Sequence, residues 1–193
     1  VTRGELAAVM AAGLTRAADR LLYEATTPWE LDAAMTDFGF ATGICAAQDD
    51  LGLDVARTRC GPHATPVLPR MISEGRLGRC VGVGWYRYPG GGGAVEDPLV
   101  EDLLREEAWF GGIQRVQMTD GEMVIHLIAG ALGAVLSAKS AGVHADQVDE
   151  ASIAALGFPA DKGGLLSHAR RLEEGRLQAA MVRLGGDVDL VHL

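Results

Sequence analysis

The sequence is short of the residues that most often carry reactive chemistry or rigid turns. Only 3 of its 193 residues are cysteine, 5 are histidine and 7 are proline, and aromatics make up 5%. Cys45, Cys60 and Cys80 are odd in number and lack metal-ligand spacing, so free thiols in a reducing compartment are expected rather than a disulfide framework. Basic residues are also scarce, 17 against 26 acidic ones, for a net charge of −9. That balance argues against a nucleic-acid partner, while leaving room for a phosphorylated ligand at a local basic patch. No stretch approaches 18 charge-free apolar residues, so no membrane span is expected. No signal peptide precedes the first helical pattern, and a cytoplasmic location is the expectation. The chain begins at Val1, and both a trimmed start and a fragment of a longer chain are open.

What the chain does have is alanine, glycine and helical periodicity. Glycine reaches 26 residues and falls in clusters, so it punctuates helices rather than dissolving them. A short pattern occurs twice: Leu31-Asp32-Ala33-Ala34-Met35-Thr36-Asp37-Phe38-Gly39-Phe40 and Val148-Asp149-Glu150-Ala151-Ser152-Ile153-Ala154-Ala155-Leu156-Gly157-Phe158-Pro159. Each reads as a short apolar helix stopped by a Gly-Phe loop. The two glycines lie 118 residues apart (157 − 39), and one inserted residue brings Asp32 into line with Asp149. Such a repeat predicts two related helical halves.

The boundaries follow from caps and apolar spacing. Leu6, Val9, Met10, Leu14, Ala17, Leu21 and Leu22 recur at three and four, predicting one long helix over Glu5–Glu24. Thr27, Pro28 and Glu30 form a cap, a first-turn proline and the third-position acid of a helix Pro28–Asp37. Further short helices are expected over Ile44–Leu51 and Leu68–Glu74. Gly75 to Gly93 reads as an irregular linker pinned by Trp85, Tyr86 and Tyr88. Asp97 caps a helix to about Phe110, with Leu99, Leu103, Leu104 and Ala108 inward. Thr119 and Glu122 open a second long helix, Thr119–Lys139, apolar on more than one face and therefore expected to be central or buried on two sides by another subunit. Gly130, Gly133 and Ala134 are its points of close approach. Helices Ala145–Leu156, Leu165–Glu174 and Arg176–Leu184 complete the chain, followed by a tail, Gly185–Leu193.

Reactive-looking groups carry little signal. Asp49, Asp50 and Asp54 lack a histidine partner and read as solvated or capping carboxylates. Cys60 and His63 would need spatial contact and a third orienting group to act as a nucleophile pair, and His63 reads as a loop residue. Gly82-Val83-Gly84 lacks the third glycine and the following helix of a dinucleotide loop. His126 reads as a polar contact in a helix face and His144 as a loop residue. No catalytic, cofactor-binding or metal-binding residue is assigned.

Taken together, certain motifs do point somewhere. Asp32 with Phe38-Gly39-Phe40 and Gly43 is followed by Asp49-Asp50-Leu51-Gly52-Leu53-Asp54-Val55. Next come Gly75-Arg76-Leu77-Gly78-Arg79, Gly82-Val83-Gly84-Trp85-Tyr86-Arg87-Tyr88, and finally Gly157-Phe158-Pro159 with Gly163-Gly164. In this order, over about Glu5 to His168, the chain resembles the C-terminal all-helical region of 3-hydroxyacyl-CoA dehydrogenases, above all the tandem C-terminal domains of multifunctional fatty-acid β-oxidation enzymes. The resemblance implies an all-α, 6-phosphogluconate dehydrogenase C-terminal-like fold. It divides the chain into helical domains at 1–75 and 97–193, joined by a Gly-rich segment at 76–96.

It also implies an accessory role in binding acyl-CoA and in association, as a homo-oligomer or with an NAD-binding domain. In the family a separate Rossmann domain holds NAD and supplies a catalytic His–Glu pair, so NAD is implied only through that missing domain. The family's substrate-site Asn-Arg pattern falls on Ala8-Val9 here, and an Asn-Glu pair of the second long helix falls on Ala131-Leu132. These departures support an alternative, a catalytically dead dimerisation or scaffold module. A third reading, an independent enzyme built on Cys60–His63, has only scattered ionisable residues behind it.

Overall fold

The structure, a computed structural model, describes residues 2–138 and 143–184. The expected helix end at Lys139 and the tail Gly185–Leu193 lie outside the described residues. The described residues form ten α-helices and no strand, with only isolated bridges at Gly78–Val83, Val83–Arg87 and Arg87–Val95.

The first half holds α1 (Arg3–Glu24), α2 (Pro28–Phe38), α3 (Ile44–Leu51), α4 (Leu53–Cys60) and α5 (Val67–Ser73). The second holds α6 (Pro98–Phe110), α7 (Asp120–Ser137), α8 (Ala145–Leu156), α9 (Leu165–Ala169) and α10 (Glu174–Arg183). Capping boxes start α1 at Thr2 and Glu5, α2 at Thr27 and Glu30, and α7 at Thr119 and Glu122. Each satisfies backbone N–H groups that the first turn leaves without a partner.

The core is one continuous cluster through which α1 and α7 cross. α7 is long and apolar enough to span a membrane by length and composition. Here Val124, Leu127, Ile128, Ala131 and Leu132 are instead buried in the core, as expected for the central helix of a folded domain.

The crossing is closer than ordinary side chains permit. A Cβ on Gly13 would lie 2.2 Å from the Gly130 carbonyl oxygen and 2.7 Å from the Ala134 Cβ. A Cβ on Gly130 would lie 2.6 Å from the Ala17 Cβ and 2.7 Å from the Gly13 carbonyl oxygen. Gly133, expected at the same contact, is not part of it: a Cβ there meets nothing within 4 Å. Three residues on, the helix has rotated that position about 60° off the contact line.

The two halves are arranged reciprocally. α8 packs against α1, and α2 against α7. The Gly-Phe loops meet each other, with Phe40 and Phe158 edge to face at 5.6 Å. Gly39 lies so near Pro159 that a Cβ would stand 3.0 Å from its Cγ.

Two further expectations are corrected. Leu99 is 62% exposed, and the inward stripe of α6 is Val100, Leu104 and Ala108. One residue along a helix turns a side chain by about 100°, which carries Leu99 off that face. The helix expected over Leu165–Glu174 stops at Ala169, and the chain restarts at Glu174. The turn between them lets α9 lie against α8 while α10 lies against α7.

Candidate functional site

The repeated aspartates are the first clue to what the buried polar groups do. Asp32 lies on α2 but accepts hydrogen bonds from the backbone N–H groups of Cys45 (2.8 Å) and Ala46 (2.9 Å), in the first turn of α3. Asp149 lies on α8 and accepts from Leu166 N–H (2.7 Å), Ser167 N–H (3.1 Å) and the Ser167 hydroxyl (2.5 Å), at the start of α9. Each therefore caps the helix beyond its own loop, placing negative charge at the positive end of that helix. Glycine precedes both capped helices for a steric reason. A Cβ on Gly43 would sit 2.2 Å from the Asp32 carboxyl carbon, and one on Gly164 would sit 2.4 Å from the Asp149 Cβ.

Asp49 corrects the expectation of a solvated or capping carboxylate. It is 1% exposed. Its oxygens accept from Trp85 N–H (2.8 Å), Tyr86 N–H (3.0 Å) and the Tyr88 hydroxyl (2.8 Å). Beside it the Trp85 indole N–H donates to Gln48 (2.8 Å), and the Tyr86 hydroxyl donates to Asp32 (2.9 Å). The chain returning from Gly78 has no strand or helix to satisfy its N–H groups, and α3 supplies the acceptor. Gly78 and Gly84 make the approach possible, since a Cβ on either would strike Asp49 within 2.4 Å.

Burial raises the carboxyls of Asp32 and Asp49 against the opposing pull of these hydrogen bonds. It raises the Tyr86 and Tyr88 phenols too. Arg76, also buried, ties the same segment to α6 through the Gly84 carbonyl (2.9 Å) and Asp97 (2.6 Å). Asp50 is at the surface with Arg79 (2.6 Å).

This network bears directly on cofactor binding. A dinucleotide loop offers free backbone N–H groups at a helix N-terminus. Around Gly82-Val83-Gly84, the Gly84 N–H is bonded to the Tyr86 carbonyl, while the Trp85 and Tyr86 N–H groups are bonded to Asp49. The segment does not fit a pyrophosphate.

Nor do the other reactive groups come together. Cys60 is buried, and burial pushes its thiol up to about 12. His63 is exposed in the short turn Gly61–His63, with no hydrogen bond to Cys60 among the described residues. His126 Nδ1 lies 2.8 Å from the Glu122 carbonyl oxygen one turn back, and its buried Nε2 has no hydrogen-bond partner among the described residues. His144 caps α8. Ala8 is exposed on α1, whereas Ala131 is buried in α7. Among the described residues no group of three His, Cys, Asp or Glu side chains is arranged to hold a metal ion. The signal that sequence reasoning missed was Asp49, whose three partners lie 36–39 residues further along the chain.

The chain is similar to several known proteins. Residues 7–88 match the family described as 3-hydroxyacyl-CoA dehydrogenase, C-terminal domain. The peroxisomal bifunctional enzyme of Danio rerio is 33% identical over 174 residues, covering 77% of this chain and 24% of that protein. The fatty acid oxidation complex subunit alpha of Vibrio cholerae is 27% identical over 146 residues, 70% of this chain and 20% of that protein. The chain thus spans about a quarter or less of the length of these curated relatives. In fold it is similar to the dehydrogenase part of multifunctional enzyme 1 from C. elegans, with a TM-score of 0.61 at 18% identity, covering 90% of this chain and 39% of that one. Residues 7–88 thus resemble in sequence the C-terminal domain of the 3-hydroxyacyl-CoA dehydrogenases, and nine-tenths of the chain is similar in fold to the dehydrogenase part of that multifunctional enzyme.

Proposed function

We propose that the chain is an accessory substrate-binding and association region of a 3-hydroxyacyl-CoA dehydrogenase, inactive by itself. The observation that carries this reading is the match of residues 7–88 to that family's C-terminal domain. Hydride transfer needs a nicotinamide held against the substrate, and the cofactor carries that chemistry. The partner in this reading is an NAD-binding domain outside the 193 residues, acting on an acyl-CoA. The same reading divides the chain into helical units at 1–75 and 97–193 with a connecting segment at 76–96.

A second reading, a catalytically dead scaffold, is favoured by a specific surface. Trp109 and Phe110 are 76% and 67% exposed and touch edge to face at 5.2 Å. Exposed paired aromatics are a frequent mark of contact surfaces.

The test is an NAD-dependent 3-hydroxyacyl-CoA oxidation assay of the chain alone and joined to an NAD-binding domain of this family. Turnover only in the joined protein supports the accessory reading. Turnover by the 193-residue chain alone overturns it, and no turnover in either favours the scaffold. In an active joined protein, Ala8→Asn is expected to raise the rate by restoring a hydrogen-bonding group at the family's substrate-site position.

A further inference from the structure

Beside the Gly13–Gly130 crossing the surface opens into a cleft of about 700 Å³ between α1, α7, the turn Gly61–His63 and the end of α10. Its lining includes Arg16, Arg20, Arg183 and His63 and, among the described residues, no aspartate or glutamate. In a chain of net charge −9 this is a concentration of positive charge. Glu24, at the edge of the cleft, bridges two of the arginines, with Arg20 at 2.5 Å and Arg183 at 3.2 Å. One carboxylate thus orients two guanidiniums and neutralises only one of them. Arg16, half-buried, has no hydrogen bond or ion pair among the described residues. Asp19, the other carboxylate of this stretch of α1, is occupied by the Thr65 N–H (2.7 Å) and hydroxyl (3.0 Å).

Apart from Ser137, the rest of the wall is made of small or apolar residues and is bare at two glycines. Gly130 cannot carry a side chain because of the crossing, and Gly133 has open space where its side chain would be. The volume lies within the roughly 300–1,000 Å³ of small-molecule sites, more than a lone phosphate requires. Guanidinium forks match the oxygens of phosphate in paired hydrogen bonds.

We propose that this cleft binds an organic phosphate, with Arg16, Arg20 and Arg183 holding the phosphate oxygens and an apolar or aromatic body lying over Gly130 and Gly133. The proposal stands independently of the dehydrogenase reading.

Calorimetric titration of the full chain with inorganic pyrophosphate and with ADP tests both parts. Pyrophosphate is expected to bind saturably, and ADP at least tenfold more tightly because its body adds contacts. Arg16→Ala should weaken both at least tenfold. Gly133→Leu should remove the advantage of ADP while leaving pyrophosphate binding in place, because the new side chain fills the floor without striking the crossing. Thermal melts of both variants confirm that the fold is kept. No saturable binding of pyrophosphate, or binding unchanged by Arg16→Ala, overturns the proposal. ADP binding no tighter than pyrophosphate overturns the organic body.

Discussion

Gly13 and Gly130 stand opposite each other where α1 and α7 cross, and each would drive a Cβ into the other's carbonyl oxygen, at 2.2 Å and 2.7 Å. The contacts are reciprocal, with Ala134 beside Gly13 and Ala17 beside Gly130. The capping threonines Thr2 and Thr119, these two glycines, and the aspartates Asp32 and Asp149 are all 117 residues apart (119 − 2, 130 − 13 and 149 − 32). The repeat therefore begins at the first helix cap, well before the Gly-Phe loops, and the extra residue enters only between the aspartates and the glycines that follow them.

Gly130→Ala and Gly133→Ala should have opposite effects on stability. Alanine is the better helix former by about 1 kcal/mol. At position 133 that gain is unopposed, and a stabilisation of up to about 1 kcal/mol is expected. At position 130 the methyl meets the Ala17 Cβ at 2.6 Å, and overpacking of about 1–3 kcal/mol should outweigh the gain. Urea denaturation of the two variants measures both signs.

Asp49→Ala should be among the most damaging single changes. It leaves two backbone N–H groups and the Tyr88 hydroxyl without their buried acceptor, each worth roughly 1–3 kcal/mol when unsatisfied. Asp149→Ala, which uncaps one short helix nearer the surface, should cost only about 1–2 kcal/mol. A drop in melting temperature no larger for Asp49→Ala than for Asp149→Ala would contradict the assignment of Asp49 as the anchor of the 76–96 segment.

Stability should carry a pH signature from Asp19. Burial pushes its carboxyl from an ordinary 3.8 up to about 6, despite the Thr65 hydrogen bonds and the charges of Arg57 and Arg20. A folded value above the unfolded one means that the proton is held more tightly in the folded state. The contribution is therefore fully present below about pH 4 and is lost as pH rises through 6. At about 1.4 kcal/mol per pH unit, the whole span is about 3 kcal/mol. The stability of the protein relative to Asp19→Asn should thus fall by about 2 kcal/mol between pH 4 and pH 7.5. A constant difference across that range would show that Asp19 titrates normally.

Thiol labelling should distinguish the three cysteines. Cys80 is exposed, whereas Cys45 and Cys60 are buried with their thiols raised by burial. Because the thiolate is the reacting species, a thiol reagent at pH 8 should modify one cysteine quickly in the folded protein and three in denaturant. Rapid modification of Cys60 would reopen the Cys60–His63 reading.

The sequence by itself determined the local structure. The threonine–glutamate caps fixed the starts of α2 and α7, Gly39 and Gly157 fixed the stops before the loops, and three-and-four spacing marked the two long helices. These features act within one or two turns, so a single stretch of chain contains the whole cause. The order of the Gly-Phe, Asp-Asp and Trp-Tyr motifs likewise carried the family resemblance.

Only the tertiary structure decided which glycine meets a facing helix and which faces an open cleft, since Gly130 and Gly133 read alike along the chain and differ only in their rotation about α7. It also turned Asp49 from a surface carboxylate into a buried anchor, because its partners come from a segment 36–39 residues on and arrive only when the linker folds back. Arg183 joins Arg16 and Arg20 of α1 in one cleft for the same reason: charges more than 160 residues apart in sequence share a site only once α1, α7 and α10 have packed together.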